Sequence, residues 1–263
     1  MGYRTVRLDV ADGIARLELH RPDAANAIDL ELATELEQAV GNIADDDRVR
    51  AVLLTGAGAR FCGGGDVGAF AGADPAALSD LLAEITAHLH PAVTGLVEMD
   101  APVVAAVQGS AAGAGFGLVL AADLVVATRS ARFVMAYTGI GLSPDGSSSW
   151  FLPRVVGTRR AVELTLTNRV LTAEEALDWG IVTSVVDDHG LEQAGRELVT
   201  RLAAGPTRAY GRASRLLRDA SGATLVDHLD AERRELRASG ATADAAEGVA
   251  AFVAKRRPEF GGS

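Results

Sequence analysis

The chain has 263 residues, 48% of them apolar, and a formal charge of −10 at neutral pH. That size supports one large core, or a core with an appendage. The acidic balance speaks against general nucleic-acid binding, while leaving room for a local basic site that holds a phosphorylated ligand. Cys62 is the one cysteine, so no intrachain disulfide can form. The start, Met1-Gly-Tyr-Arg-Thr5, has no apolar signal core, and no apolar run reaches bilayer-spanning length. The expectation is a cytoplasmic protein without membrane or nucleic-acid partners.

Thr5 to Val10 and Ile14 to Leu19 alternate in polarity around Asp12-Gly13, which predicts a hairpin. After the loop from Arg21 to Asn26, Asp29 is placed to cap a helix with apolar positions Leu30, Ala33, Leu36, Val40 and Ile43. Ala51 to Thr55 reads as a buried strand and leads into a glycine loop, Phe61-Cys-Gly-Gly-Gly-Asp-Val67. Gly72 and Asp74-Pro75 punctuate the chain before a helix to about Glu98, with a kink or break expected near Pro91. Val103 to Val107 is a second buried strand. A turn at Gln108-Gly-Ser110 follows, then small residues from Ala111 to Gly117 and an apolar helix face. Short strands are expected at Leu124 to Ala127 and Val182 to Val186. Helices are expected at Ser147 to Leu152, Arg159 to Leu166, Ala173 to Trp179 and from Leu191 onward. Strands alternating with helices up to Val186 indicate a parallel α/β core. The division is a core over 1–204 and a helical region over 205–263 that has too little core of its own and is suited to packing on a partner subunit.

Two bare loops, each after a buried strand, suggest two backbone N–H donors aimed at one negative oxygen. Gly63 to Gly68 also fits G-x-G-x-x-G, but the segment does not open a helix directly, as a dinucleotide site requires. No G-x-S-x-G elbow occurs. His20, His88, His90, His189 and His228 lack metal-ligand spacing, so no metal is expected. Cys62, without a base partner in the pattern, reads as a small packing residue.

Arg21-Pro-Asp-Ala-Ala-Asn-Ala-Ile28, Phe61 to Val67, Ala105-Ala-Val-Gln-Gly109 through Gly117, Leu142-Ser-Pro-Asp145 and the ending from Glu247 to Pro258 occur in the order that resembles the crotonase, or enoyl-CoA hydratase/isomerase, superfamily. The resemblance spans nearly the whole chain. It implies a spiral of ββα repeats with a C-terminal helical trimerisation region, assembling as a homotrimer or a dimer of trimers. It implies an acyl-CoA thioester substrate, with coenzyme A arriving as part of that substrate and no separate cofactor. It places the oxyanion donors on the N–H groups of Gly65 and Ala114. One such donor is worth about 3–4 kcal/mol in an acyl-transfer enzyme. Gly64, Gly113 and Tyr137 fall in the substrate site. Ala24, Ala25 and the backbone near Asp66 border the adenine end, and Lys255 or Arg256 approaches a CoA phosphate.

The chain departs from the hydratase pattern at both water-handling glutamates, which fall at Gly117 and Tyr137. Asp145 falls where double-bond isomerases of the family place an Asp or Glu. Asp in Pro-Asp-Gly is also ordinary turn chemistry. The resemblance favours Asp145 as the catalytic base of an isomerase. Ring rearrangement of an epoxidised aryl-acetyl-CoA, a hydratase-like reaction and a non-catalytic acyl-CoA-binding protein are the alternatives.

Overall fold

The computed structural model describes residues 2–71 and 74–263. Strands β1 (Val6–Ala11) and β2 (Ile14–Leu19) form the expected hairpin, with Val6 opposite Leu19 and Ala11 opposite Ile14. Asp12 and Gly13 both have positive φ, the geometry of the tightest hairpin turn. Helix α1 (Leu30–Ala44) begins where Asp29 accepts a bond from the Leu32 N–H at 2.8 Å. Its buried stripe of Leu32, Leu36, Ala39, Val40 and Ile43 follows the 3.6-residue period.

Strand β3 (Ala51–Gly56) leads into the first glycine loop, then the one-turn helix α2 (Val67–Phe70) and the long helix α3 (Pro75–Glu98). Gly72, expected to punctuate the chain before α3, lies outside the described residues. Asp74 caps α3 through the N–H groups of Ala76 and Ala77. The helix runs through Pro91 as one element, contrary to the expected break. Pro91 is exposed, while Leu89, Ala92, Val93 and Leu96 around it are buried. Burial of that face offsets the lost N–H bond, since each large apolar side chain contributes about 1.5–3 kcal/mol.

From β4 (Val103–Val107) the chain reaches a short strand, β5 (Ser110–Ala112), where only small residues were expected. Helix α4 (Ala114–Ala121) follows, with all eight residues buried. Strands β6 (Leu124–Thr128) and β7 (Arg132–Val134) repeat the long-then-short pattern. The order then runs α5 (Ser148–Val156), α6 (Thr158–Thr167), β8 (Leu171–Thr172), α7 (Ala173–Asp178), β9 (Ser184–Val186), α8 (Leu191–Ala203), α9 (Thr207–Asp219), α10 (Leu225–Gly240) and α11 (Ala243–Val253).

The strands form two sheets. The large one has the order β1-β2-β3-β4-β6-β9 and is parallel from β2 onward; the small one has the order β5-β7-β8. Bridges Cys62–Ala111 and Ile28–Gly65 carry the earlier turns of chain alongside the small sheet. Each turn of the spiral thus gives a long strand to one sheet and a short stretch to the other. Residues such as Leu54, Val103 and Ala105 bury one face of the large sheet together with α1, α3 and α4. Leu53, Val104, Ala106 and Val126 bury the other with Val199 and Ala203 of α8. This accounts for the unbroken apolar run of β4, which is covered on both faces.

Helix α9 is tied to the core by Arg215–Asp100 and Arg218–Asp123 ion pairs. Helix α10 has no buried residue, and its Leu225, Val226 and Leu236 are 72–76% exposed. The last residues fold back. Arg50 donates to the carbonyls of Gly205 and Phe260, and Asp244 accepts from the N–H groups of Gly261 and Gly262.

Asn26 holds the first glycine loop in register. It is fully buried and left-handed, with φ of 53°. Its Nδ2 donates to the carbonyls of Ala57, Arg60 and Phe61 at 2.8, 2.8 and 3.1 Å, and its Oδ1 accepts from the Arg21 N–H at 2.9 Å. Replacing Asn26 by Ala strands these buried groups and is expected to destabilise the protein by about 2–4 kcal/mol. Urea unfolding reads this as a lower midpoint with an unchanged slope. A midpoint equal to that of the parent protein would show that the loop holds its register without Asn26.

Candidate active site

The two glycine loops meet edge to edge. A side chain on Gly64, whose φ is +91°, would come within 2.8 Å of the Ala112 carbonyl oxygen, and one on Gly115 within 2.7 Å of the Cys62 sulfur. Only bare backbone allows this approach. Each loop is also pinned from outside. Gly63 N–H donates to Ala25 at 2.8 Å and Ile28 N–H to Gly64 at 2.7 Å, while Gly113 N–H donates to Val134 at 3.0 Å. Among the described residues, the N–H groups of Gly65 and Ala114 donate to no backbone carbonyl. Ala114 is the first residue of α4, where helix N–H groups lack intrahelical acceptors and the dipole favours an anion.

Both residues line a cavity of about 310 Å³, shared with Gly64 and Gly113. Its walls are apolar and come from Ile28, Phe70, Leu82, Ile85, Leu89 and Leu142 among others. Asp145 is the one carboxylate among its described lining residues, and Tyr137 stands beside it. The Tyr137 hydroxyl donates to Asp145 Oδ1. Burial, and then the neighbouring Asp145 charge, raise the Tyr137 pKa, so the phenol stays protonated and remains a donor. The Asp145 main-chain carbonyl accepts from the Ser148 hydroxyl at 2.7 Å and the Ser148 N–H at 3.0 Å. Ser148 is fully buried, and the preceding Ser147 is left-handed with φ of 70°. The carboxylate therefore projects from a turn fixed at both its main chain and its side chain.

Six of the expected site residues, Gly64, Gly65, Gly113, Ala114, Tyr137 and Asp145, are brought together here. Ala24, Ala25 and Asp66 are not among the cavity's lining residues. Ala24 ends a short 3-10 turn, and Ala25 packs against Gly63. The Asp66 carboxylate faces Arg21 at 3.0 Å and caps α2. Lys255 and Arg256 follow α11, away from the cavity lining. Arg256 is held by Glu247, whose carboxyl this contact draws down to about 2. The sequence gives no role to Asn26, whose partners meet it only when the loops are assembled, or to Ser148, whose bonds to Asp145 close a local turn.

The model of the family described as Enoyl-CoA hydratase/isomerase matches residues 9–263. The chain belongs to this family, the crotonase superfamily. It is 41% identical over 254 residues to a 1,2-epoxyphenylacetyl-CoA isomerase of Escherichia coli, covering 96% of this chain and 97% of that protein. It is 34% identical over 250 residues to a 4-chlorobenzoyl coenzyme A dehalogenase-2 of Arthrobacter, covering 95% and 91%. A crystal structure from Mycobacterium abscessus, titled in the enoyl-CoA hydratase/isomerase family, superposes with a TM-score of 0.91 at 39% identity, covering 98% of this chain and all of that one. The relatives share an architecture and differ in reaction, so the reaction must be argued from the side chains in the cavity. No helix among the described residues is long and apolar enough to cross a membrane.

Cys62 borders the site without entering it. It is fully buried, its thiol lies 3.1 Å from the Asn26 carbonyl, and burial pushes its pKa up to about 12. At pH 8 the folded protein should resist iodoacetamide, while urea-unfolded protein should take up one equivalent, read by mass spectrometry. Fast labelling of the folded form would show that the loop junction opens.

Proposed function

We propose that the protein is an acyl-CoA isomerase that moves a double bond from C3 to C2 of a 3-enoyl thioester. The observation that supports this most directly is Asp145, the one carboxylate among the described residues lining a mostly apolar cavity that also presents the Gly65 and Ala114 N–H groups. With the thioester oxygen between those donors, Asp145 removes a proton from C2. The C–H electron pair moves into C1–C2 and places negative charge on that oxygen, where preorganised donors stabilise it. Protonated Asp145 then returns the same proton to C4. The electrons shift to C2–C3, and the carbonyl re-forms. No atom is gained or lost, and coenzyme A enters and leaves as part of the substrate. One carboxylate suffices, whereas hydration must also activate water.

The mostly apolar walls fit a hydrocarbon acyl group, with polar partners confined to Thr86, Tyr137, Ser143 and Asp145. The relative named 1,2-epoxyphenylacetyl-CoA isomerase supports a second reading, in which the acyl group carries an oxidised aromatic ring and Asp145 serves a ring rearrangement. A panel of CoA thioesters read by mass spectrometry separates the two.

Asp145→Asn keeps the shape and removes the base. Isomerisation should fall by about 10²-fold or more, while binding of a saturated acyl-CoA persists. Crotonyl-CoA hydration by the parent protein should be very slow or absent. Hydration at roughly 10 per second or more would mean that another group activates water. Full isomerase activity in the Asn variant would move the base away from Asp145.

The region from 205 to 263 is assigned to assembly and the remainder to the acyl-CoA site. Phe252 is 85% exposed, Val249 and Val253 accompany it on α11, and α10 exposes Leu225, Val226, Leu229 and Leu236 among its charged residues. Faces of this kind favour burial against copies of the chain. Lys255 and Arg256 would then meet CoA phosphates only if a neighbouring subunit brings them to the site. Light scattering should give three or six times the monomer mass; a monomer at micromolar concentration would sink the assembly assignment.

A further inference from the structure

The two positions that the family pattern gives to water-handling glutamates have a shared task here, and it is steric as much as chemical. The turn bearing Asp145 rests directly on α4. A Cβ added at Gly117 would lie 2.2 Å from the Gly146 carbonyl oxygen and 3.1 Å from its carbonyl carbon, about 1 Å short of ordinary contact. The obstacle is backbone, so it cannot rotate away. A Cβ added at Gly146 would lie 3.5 Å from the Ala114 Cα, so the same turn also abuts the residue offering one of the free N–H groups. The Ser147 hydroxyl reaches the Gly117 carbonyl at 3.4 Å.

From the other side, Tyr137 closes on the same residue. Its hydroxyl bonds Asp145 Oδ1 and lies 3.3 Å from the Asp145 main-chain carbonyl. Tyr137 is 9% exposed, and its ring is set by a left-handed residue before it, Ala136, with φ of 62°. The bond occupies one carboxylate oxygen and leaves the other for substrate.

We propose that Gly117 and Tyr137 are positioning residues for Asp145, and that in this scaffold a side chain at 117 and the inward seating of Asp145 exclude one another. A hydratase-type carboxylate at 117 and the present base therefore cannot coexist. This makes Gly117 a specificity-determining position rather than a lost catalytic one. The inference rests on reading Asp145 as the base, but the steric part of it can be observed without turnover.

The test compares Gly117→Ala, Gly117→Glu and Tyr137→Phe with the parent protein and with Asp145→Asn. It reads kcat and KM for 3-enoyl-CoA isomerisation, crotonyl-CoA hydration, octanoyl-CoA affinity by calorimetry, and crystal structures. Gly117→Ala should keep octanoyl-CoA affinity and KM within about twofold while kcat falls about 10²-fold, the cost of a misplacement near 1 Å. Its crystal structure should show the 145–147 turn lifted from α4. Tyr137→Phe keeps the ring and should lower kcat about tenfold at constant KM, as one hydrogen bond to a charged group is lost. Gly117→Glu should neither isomerise nor hydrate.

An unmoved turn in Gly117→Ala, or a parent-like kcat in that variant, overturns the inference at position 117. So does a Gly117→Glu protein that hydrates while still isomerising. Parent-like kcat in Tyr137→Phe overturns its assignment, whether or not the glycine variants fold. A fully active Asp145→Asn protein removes the base reading instead, and the position of the turn in Gly117→Ala then still decides the steric part.

Discussion

Everything at the site depends on backbone lying against backbone where side chains would normally intervene. Gly64 faces the Ala112 carbonyl, Gly115 faces Cys62, and Gly117 faces the Gly146 carbonyl. Each approach is closer than any Cβ permits. The three stack along the entry to α4, a helix whose eight residues are all buried. The small residues therefore do not mark a flexible stretch. They let three segments, far apart in sequence, converge on the positive end of one buried helix. Larger residues further along and beside α4 hold that end in place, with Phe116 packed on Phe133 at a centroid distance of 5.6 Å.

Convergence is secured by hydrogen bonds that bridge loops. Asn26 reaches three carbonyls across the first glycine loop. Arg21 joins Asp29 to Asp66, so the start of α1 and the start of α2 share one guanidinium. Ala25, Asn26, Ala136 and Ser147 take up left-handed backbone without being glycine. Strain of this sort persists only where the surroundings over-determine it. Here those surroundings are the Asn26 bonds on one side and the Tyr137, Asp145 and Ser148 bonds on the other. The loops are accordingly fixed by bonds within the chain itself.

Much of this was legible in the sequence, and the division between what was and was not is physical. Alternation around Asp12-Gly13, the Asp29 cap and the apolar run at Val103 are local patterns, and they formed the elements they predict. The ordered motifs from Arg21 to Pro258 carried the family. Of the kink or break expected at Pro91, the break does not occur, because a propensity rule operates on the isolated helix and this one is held by its buried face. The grouping of Gly65, Ala114, Tyr137 and Asp145 around one cavity could be expected only through the resemblance. The bonds of Asn26 and the contact of Gly117 with Gly146 involve partners about 30 residues away, and no spacing rule reports them, whereas the Ser148 bonds to Asp145 are local to one turn. Ala24, Ala25 and Asp66 lie outside the cavity lining, and Asp66 pairs with Arg21 and caps α2.

The returning C-terminus gives the chain an order in time. Arg50 stands at the entrance to β3, in the first quarter of the sequence, yet one of its acceptors is the Phe260 carbonyl, 210 residues later. Asp244 likewise waits for Gly261 and Gly262. Both contacts join the tail to segments that precede it in the chain. The other partners of the Arg50 guanidinium, the Gly205 carbonyl and the Thr207 hydroxyl, are likewise 155 and 157 residues away. Contacts of such long range close late, after the entropy of the intervening chain has been spent. The seam at Arg50 therefore joins the first strands of the spiral to the final helices and can be complete only when both are folded.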